Sequence, residues 1–268
     1  MTISGGYLLP GATLLRDQDS GFFETYKGII ETDVGKTGAY VKLLAPKALA
    51  NELVCTVLGK AAGLPVPDGY LVEVSVEDYP NSPFLVGQKL THTLAYGSAA
   101  LDAPSLARQF GRDDNHAFGS LLTTWSRWKA ALLFDEWVSN ADRHPGNFLV
   151  NGPDDVWLID HSHAFRGPNW YITDLVPHAS TKNLIAEHAN RTLKLPERSQ
   201  LLEAADQVAT EYESLDISGI VAASRAASLL GERDLQAMQD FLINRIKALP
   251  QLVAKHMGIP RFPALTGA

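Results

Sequence analysis

Short alternating runs of apolar residues fill the first third of the chain, and longer runs with helical spacing fill the rest. Residues 7–9 and 13–15 are brief apolar pieces, 22–30 is rich in β-formers, and 39–44 is apolar apart from Lys42. Turn clusters at 17–21 and 34–38 separate them, which predicts an antiparallel meander. Over 47–62, Leu49, Leu53, Val54, Val57, Leu58 and Ala61 recur at helical spacing, and Gly63 and Pro65 end that helix. Residues 70–76 and 84–90 read as two more strands around a turn at 77–83, and 91–116 reads as an irregular connector with one short helix. From Phe118 the period becomes helical, with Leu121, Leu122, Trp125, Trp128, Leu132 and Trp137 in one stripe. Further helices are expected near 181–193, 197–212, 217–230 and 232–256, the last interrupted by Pro250, before a loose tail at 258–268. Sheet, helix, connector and helical half make an α+β arrangement in two lobes.

Two apolar runs stand apart inside the helical half. Residues 140–150 read N-A-D-R-H-P-G-N-F-L-V and 156–165 read V-W-L-I-D-H-S-H-A-F, with a turn at 151–155 between them. A hairpin brings its outer ends together, so Asn147 and Asp160 should meet. Pro145 and Gly146 bend the loop that leads from Asp142 to Asn147. Asp142, Asn147 and Asp160 are hard oxygen donors, and magnesium needs only one or two carboxylates beside an amide oxygen. The D-x-x-x-x-N interval is that of a kinase catalytic loop, although Asn and Asp also start turns and cap helices.

Lys42 changes the weight of that stretch. Period two puts Tyr40, Lys42 and Leu44 on one face of their strand and Ala39, Val41 and Leu43 on the other. Such a lysine is either an edge-strand guard or a buried cation that needs a partner. Glu52 on the next helix is either solvated or that partner. Lysine on a strand, glutamate on a helix, D-x-x-x-x-N, hairpin and closing aspartate form an ordered series that suits phosphoryl transfer.

Composition narrows the classes. An apolar fraction of 46% and a charged fraction of 20% are those of an ordinary globular chain. The formal net charge of -7 disfavours a non-specific grip on nucleic acid or an anionic membrane. The single cysteine, Cys55, excludes an intramolecular disulfide and a Cys-cluster zinc site and reads as a buried thiol. Residues 1–10 do not read as a signal peptide. No apolar run reaches the roughly 18 residues of a membrane helix. A cytoplasmic protein is expected.

N-x-D-R-H-x-x-N followed by I-D-H-x-H-A-F resembles the HipA-like kinases, and more distantly the phosphatidylinositol kinases. A-Y-V-K-L-L at 39–44, N-E-L at 51–53 and G-L-P-V-P at 63–67 resemble the shorter HipA-like members, so the likeness covers most of 42–165. It implies a two-lobed protein-kinase-like fold. Residues 1–90 would be an N-lobe of antiparallel sheet plus helix, and 91–268 a mainly helical C-lobe. It implies ATP and magnesium, with Lys42 on the nucleotide phosphates, Glu52 orienting it, Asp142 as base, and Asn147 and Asp160 on the metal. Gln88 and Leu90 would form the adenine hinge, and 17–21 would stand in for the phosphate-covering loop. The implied activity is Ser/Thr protein phosphorylation, with a protein substrate and a place as the toxin of a toxin–antitoxin pair. A small-molecule or lipid kinase and a pseudokinase binding module are the alternatives. The chain departs from other kinase patterns by having no G-x-G-x-x-G, no serine-rich autophosphorylation loop and no A-P-E after Asp160.

Two further motifs read as structural. V-G-K-T at 34–37 evokes a phosphate loop, but Ile30 stands where its first glycine belongs and a strand follows. His144, His161 and His163 match no zinc spacing. They are expected to brace the loop or position Asp160 or the substrate. Arg143 is expected to make a surface or structural pair.

Overall fold

The computed structural model describes residues 2–15, 23–87, 89–111 and 114–261. The turn at 17–21 and Gln88 lie outside them. Strands β1 (Ser4–Leu8), β2 (Thr13–Leu14), β3 (Thr25–Thr32), β4 (Gly35–Lys42), β5 (Gly69–Ser75) and β6 (His92–Ala99) form one sheet in the order β1-β5-β6-β4-β3-β2. β1 also pairs with β3, so five strands close on one another and β2 hangs on β3. The pairings are antiparallel except β1 with β5, which is parallel. V-G-K-T falls on the β3–β4 turn and the start of β4, as a hairpin reading requires.

Two strand expectations change. Residues 84–87 are turn rather than strand. Gly87 has φ +81°, a left-handed conformation that suits glycine, and Leu85 packs as a cap on the sheet's core while Val86 is exposed. The strand that takes this place is β6, within the expected connector. The sheet therefore runs past the expected lobe boundary between Leu90 and Thr91. Its sequence, H-T-L-A-Y-G-S-A, is too small and polar to read as a central strand, and closeness explains the choice. A Cβ on Gly97 would meet Val72 Cγ2 at 2.6 Å and Tyr70 Cβ at 3.3 Å on the paired β5.

Helix α1 (Pro46–Ala61) is buried almost all round rather than along one stripe. Leu49, Leu53 and Val57 pack with Leu71 and Tyr96 of the sheet, while Val54, Cys55 and Leu58 join the core of the helical half. A helix apolar on every side belongs between two layers, and α1 joins the lobes. Burying each such leucine or valine contributes about 1.5–3 kcal/mol.

The helical half contains α2 (Leu106–Phe110), α3 (Asn115–Thr124), α4 (Trp128–Val138), the hairpin β7 (Phe148–Val150) and β8 (Val156–Leu158), α5 (Leu184–Thr192), α6 (Leu195–Glu213), α7 (Ile217–Ala223) and α8 (Glu232–Met257). The tryptophan stripe is split between α3 and α4 at Trp125, and Trp125 and Trp137 are core residues. Pro250 lies inside α8 without ending it. Leu249, Leu252 and Val253 are buried beside it, so tertiary packing holds the helix across the proline.

Cys55 offers a probe of this core. It is fully buried, and burial, with nearby Glu52 and Asp135, pushes its thiol well above the ordinary value. Native protein at pH 8 is expected to resist an aromatic disulfide reagent, and to react within the mixing time once denatured. Stoichiometric labelling of folded protein at a rate independent of unfolding would show that α1 is not packed on both sides.

Candidate active site

β4 is an interior strand, between β6 and β3, so Lys42 does not guard an edge. Its Nζ lies 3.0 Å from Glu52 Oε1 and 2.9 Å from Asp160 Oδ2. Glu52, 0% exposed, uses its other oxygen to accept the backbone N–H of His161 at 2.8 Å. One buried carboxylate thus joins the strand lysine to the peptide that follows Asp160. Burial pushes the Glu52 carboxyl up against the pull of Lys42. At Lys42 burial works against the charge, yet Asp160 and Glu52 outweigh it and hold the ammonium above its usual range. Burial would likewise raise Asp160, but Lys42 and the Ser162 hydroxyl hold its carboxyl well below the usual carboxylate range.

The neighbouring Asn51 does a related job that its place in N-E-L did not disclose. Its Nδ2 donates to the carbonyls of Ser162 and Ala164 at 2.8 and 2.9 Å, and its Oδ1 accepts from Trp170 Nε1 at 3.0 Å. The segment after Asp160 needs such anchoring, because Asp160, Phe165 and Arg166 have φ of 59°, 55° and 74°. Left-handed backbone at non-glycine residues costs about 1–3 kcal/mol each and clusters where a site must be held in one shape.

The loop after α4 begins with Ser139 in the left-handed region. Asn147 Nδ2 donates to the Asp142 carbonyl at 2.6 Å, which closes the D-x-x-x-x-N turn and leaves the amide oxygen as the group available to a cation. The Ile159 N–H donates to the Asn147 carbonyl at 3.2 Å, so the hairpin does bring Asn147 beside the Asp160 segment. Arg143 fastens both ends. Its guanidinium donates to the carbonyls of Asn147 and Ile159, and grips Asp135 of α4 through Nε at 2.9 Å and Nη2 at 3.1 Å. Both side chains are 0% exposed, so Arg143 makes a buried structural pair. Asp135 was not singled out in the sequence, where it stands beside Glu136 on an otherwise largely apolar helix.

A cleft of about 440 Å³ opens between sheet and helical half. Lys42, Asp142, Asn147 and Asp160 all line it. Thr25, Lys42 and Tyr96 pair across β3, β4 and β6, as do Lys27, Tyr40 and Ser98, so two rows of one sheet face form its roof. Leu90 is not among the residues lining it and is 56% exposed. The chain that leaves the sheet along the cleft includes Ser98, Ala99, Ala103, Pro104 and Ser105, which line it where Leu90 does not.

The three histidines differ. His144 Nδ1 accepts the Gly146 N–H at 3.0 Å, so it braces the loop as expected. His161 is buried against Phe134, its Nδ1 3.9 Å from Glu52. Burial, with Arg143, holds it well below its usual value, so it is neutral. His163 lines the cleft near Asp142. Among the described residues no cluster of three or more His, Cys, Asp or Glu is placed to hold a metal ion. The pair Asn147 and Asp160 is a different donor set, of amide and carboxylate oxygens. It fits a hard cation that keeps much of its water, and Asp160 already holds one cation, the Lys42 ammonium.

A family model described as HipA-like kinase matches residues 39–215. No curated protein matches the chain. Among solved structures, a Helicobacter pylori proinflammatory kinase, CtkA, aligns with a TM-score of 0.57 at 13% identity, over 97% of this chain and 100% of that one. A mutant of the Neurospora crassa PAN3 pseudokinase aligns with a TM-score of 0.38 at 13% identity, over 94% of this chain and 66% of that one. The first likeness shows a two-lobed kinase-like fold. No helix among the described residues is long and apolar enough to cross a membrane.

Proposed function

The chain belongs to the HipA-like kinases, and from that premise we propose that it is a cytoplasmic, ATP- and magnesium-dependent kinase of protein serine or threonine hydroxyls. The observation that carries this reading is the joining of Lys42, Glu52 and Asp160 across a cleft that Asp142 and Asn147 also line. Lys42 binds the nucleotide phosphates, and Glu52 keeps its ammonium aimed into the cleft. Asn147 and Asp160 would hold magnesium, which supplies neutralisation of phosphate charge. Asp142 orients the acceptor hydroxyl and takes its proton. Backbone groups between Ser98 and Ser105 bind the adenine edge. The family resemblance further supports a toxin's role restrained by an antitoxin partner.

The test is direct. Purified protein with magnesium and ATP should release ADP and, in a lysate, transfer label to protein. Label found only in a metabolite or lipid would replace the protein substrate with a small molecule. Binding without turnover would make the chain a pseudokinase. Lys42→Met is expected to lower ADP release about 100-fold or more, since it removes the cation aimed at the phosphates. Retained turnover in that variant would refute the assignment of Lys42.

A further inference from the structure

His163 has no part in the chemistry above, yet it sits between its two carboxylates. We infer that His163 is a positioning residue that ties the Asp142 carboxylate to Asp160 through the hydroxyl of Ser162. The inference rests on the reading of Asp142 as base and Asp160 as metal ligand.

The argument follows the protons. Ser162 is fully buried, and its single hydroxyl proton is donated to Asp160 Oδ1 at 2.7 Å. An ionised carboxylate can only accept. The same Ser162 oxygen lies 3.2 Å from His163 Nδ1, and with its proton spent it can only accept there. His163 therefore carries its proton on Nδ1. That nitrogen also lies 3.7 Å from Asp142 Oδ2, just beyond a hydrogen bond. Such contacts are often long in a ligand-free kinase and tighten with substrate bound. On the other side, His144 accepts at Nδ1, so its Nε2 carries the proton, and that Nε2 lies 3.8 Å from the same Oδ2. The one proton on His163 Nδ1 is thus shared between Ser162 Oγ and Asp142 Oδ2, and the His144 Nε2 faces the same Asp142 oxygen.

Placement supports the link. The Ser162 carbonyl is fixed by Asn51, and the His163 ring leans on Phe23, 5.9 Å between centroids at 46°. Movement of either carboxylate is then felt by the other.

The test uses two isosteres. An asparagine amide nitrogen sits close to where Nδ1 was, and a glutamine's sits close to Nε2. His163→Ala and His163→Gln are expected to lower the kcat for ADP release from MgATP about tenfold or more, with the KM for ATP within about twofold, as loss of one well-placed hydrogen bond requires. His163→Asn should recover most of that loss. Equal loss in Asn and Gln variants, or no loss in Ala, would overturn the inference. Nitrogen-15 imidazole spectra of the full chain give a second readout that needs no turnover. His163 should appear as the Nδ1–H tautomer, and Ser162→Ala should shift it towards Nε2–H. A wild-type Nε2–H tautomer would refute the link even in an active enzyme. Absence of ADP release from wild-type protein would instead refute the kinase reading, while the tautomer would still decide the link.

Discussion

Asp142→Asn is expected to cut phosphoryl transfer by about 100- to 10,000-fold, the span that a positioned general base contributes. The change is isosteric and keeps the loop's shape. What holds that loop is main chain of Asp142: its carbonyl accepts from Asn147 and its N–H donates to Asn140 Oδ1. The carboxylate is 35% exposed and its ion-pair contacts among the described residues are long, so the melting temperature should stay within about one or two degrees of wild type. Asp160→Asn would be a poorer test, because Asp160 also holds Lys42 and accepts from Ser162. ADP release measured beside a thermal melt gives the answer. Wild-type turnover by Asp142→Asn would remove Asp142 from the mechanism.

How much of this site a reader of the sequence can see depends on whether its parts have a local spacing. Asp142, Asn147 and Asp160 sit at the ends of a turn and a hairpin, and geometry over so few residues follows from the pattern. Lys42 and Glu52 lie on consecutive elements, and their pairing was one of two open readings that burial decides. Asp135 could not be found this way. It lies on a largely apolar helix, and its partner belongs to the next loop, so no periodicity links them. Asn51 reaches across more than a hundred positions to the carbonyls of Ser162 and Ala164. Strand β6 failed for a different reason. Its small residues are selected by close approach to β5 and by the cleft beneath, which overrides strand propensity. The apolar run 84–90 drew the strand because hydrophobicity alone cannot distinguish a strand from a cap on a core.

Asp135→Ala is expected to have the largest effect on stability. It leaves the Arg143 guanidinium 0% exposed and without its carboxylate. Breaking a buried pair from one side costs about 3–5 kcal/mol, and in a chain of this size the melting temperature should fall by about 10 °C. Activity should fall as well, since the freed guanidinium no longer holds the Asn147 and Ile159 carbonyls in register. The double change Asp135→Leu with Arg143→Met separates these effects. Removing both charges together avoids the uncompensated ion, and well-packed apolar replacements of buried pairs are often neutral or stabilising. The double variant should therefore regain much of the lost stability. It should not regain full turnover, because the guanidinium that holds the Asn147 and Ile159 carbonyls together is gone and the 3.2 Å bond from the Ile159 N–H is left to keep Asn147 beside Asp160. If the double variant is both stable and fully active, Arg143 serves folding alone. If Asp135→Ala melts with wild type, the pair is not buried as described.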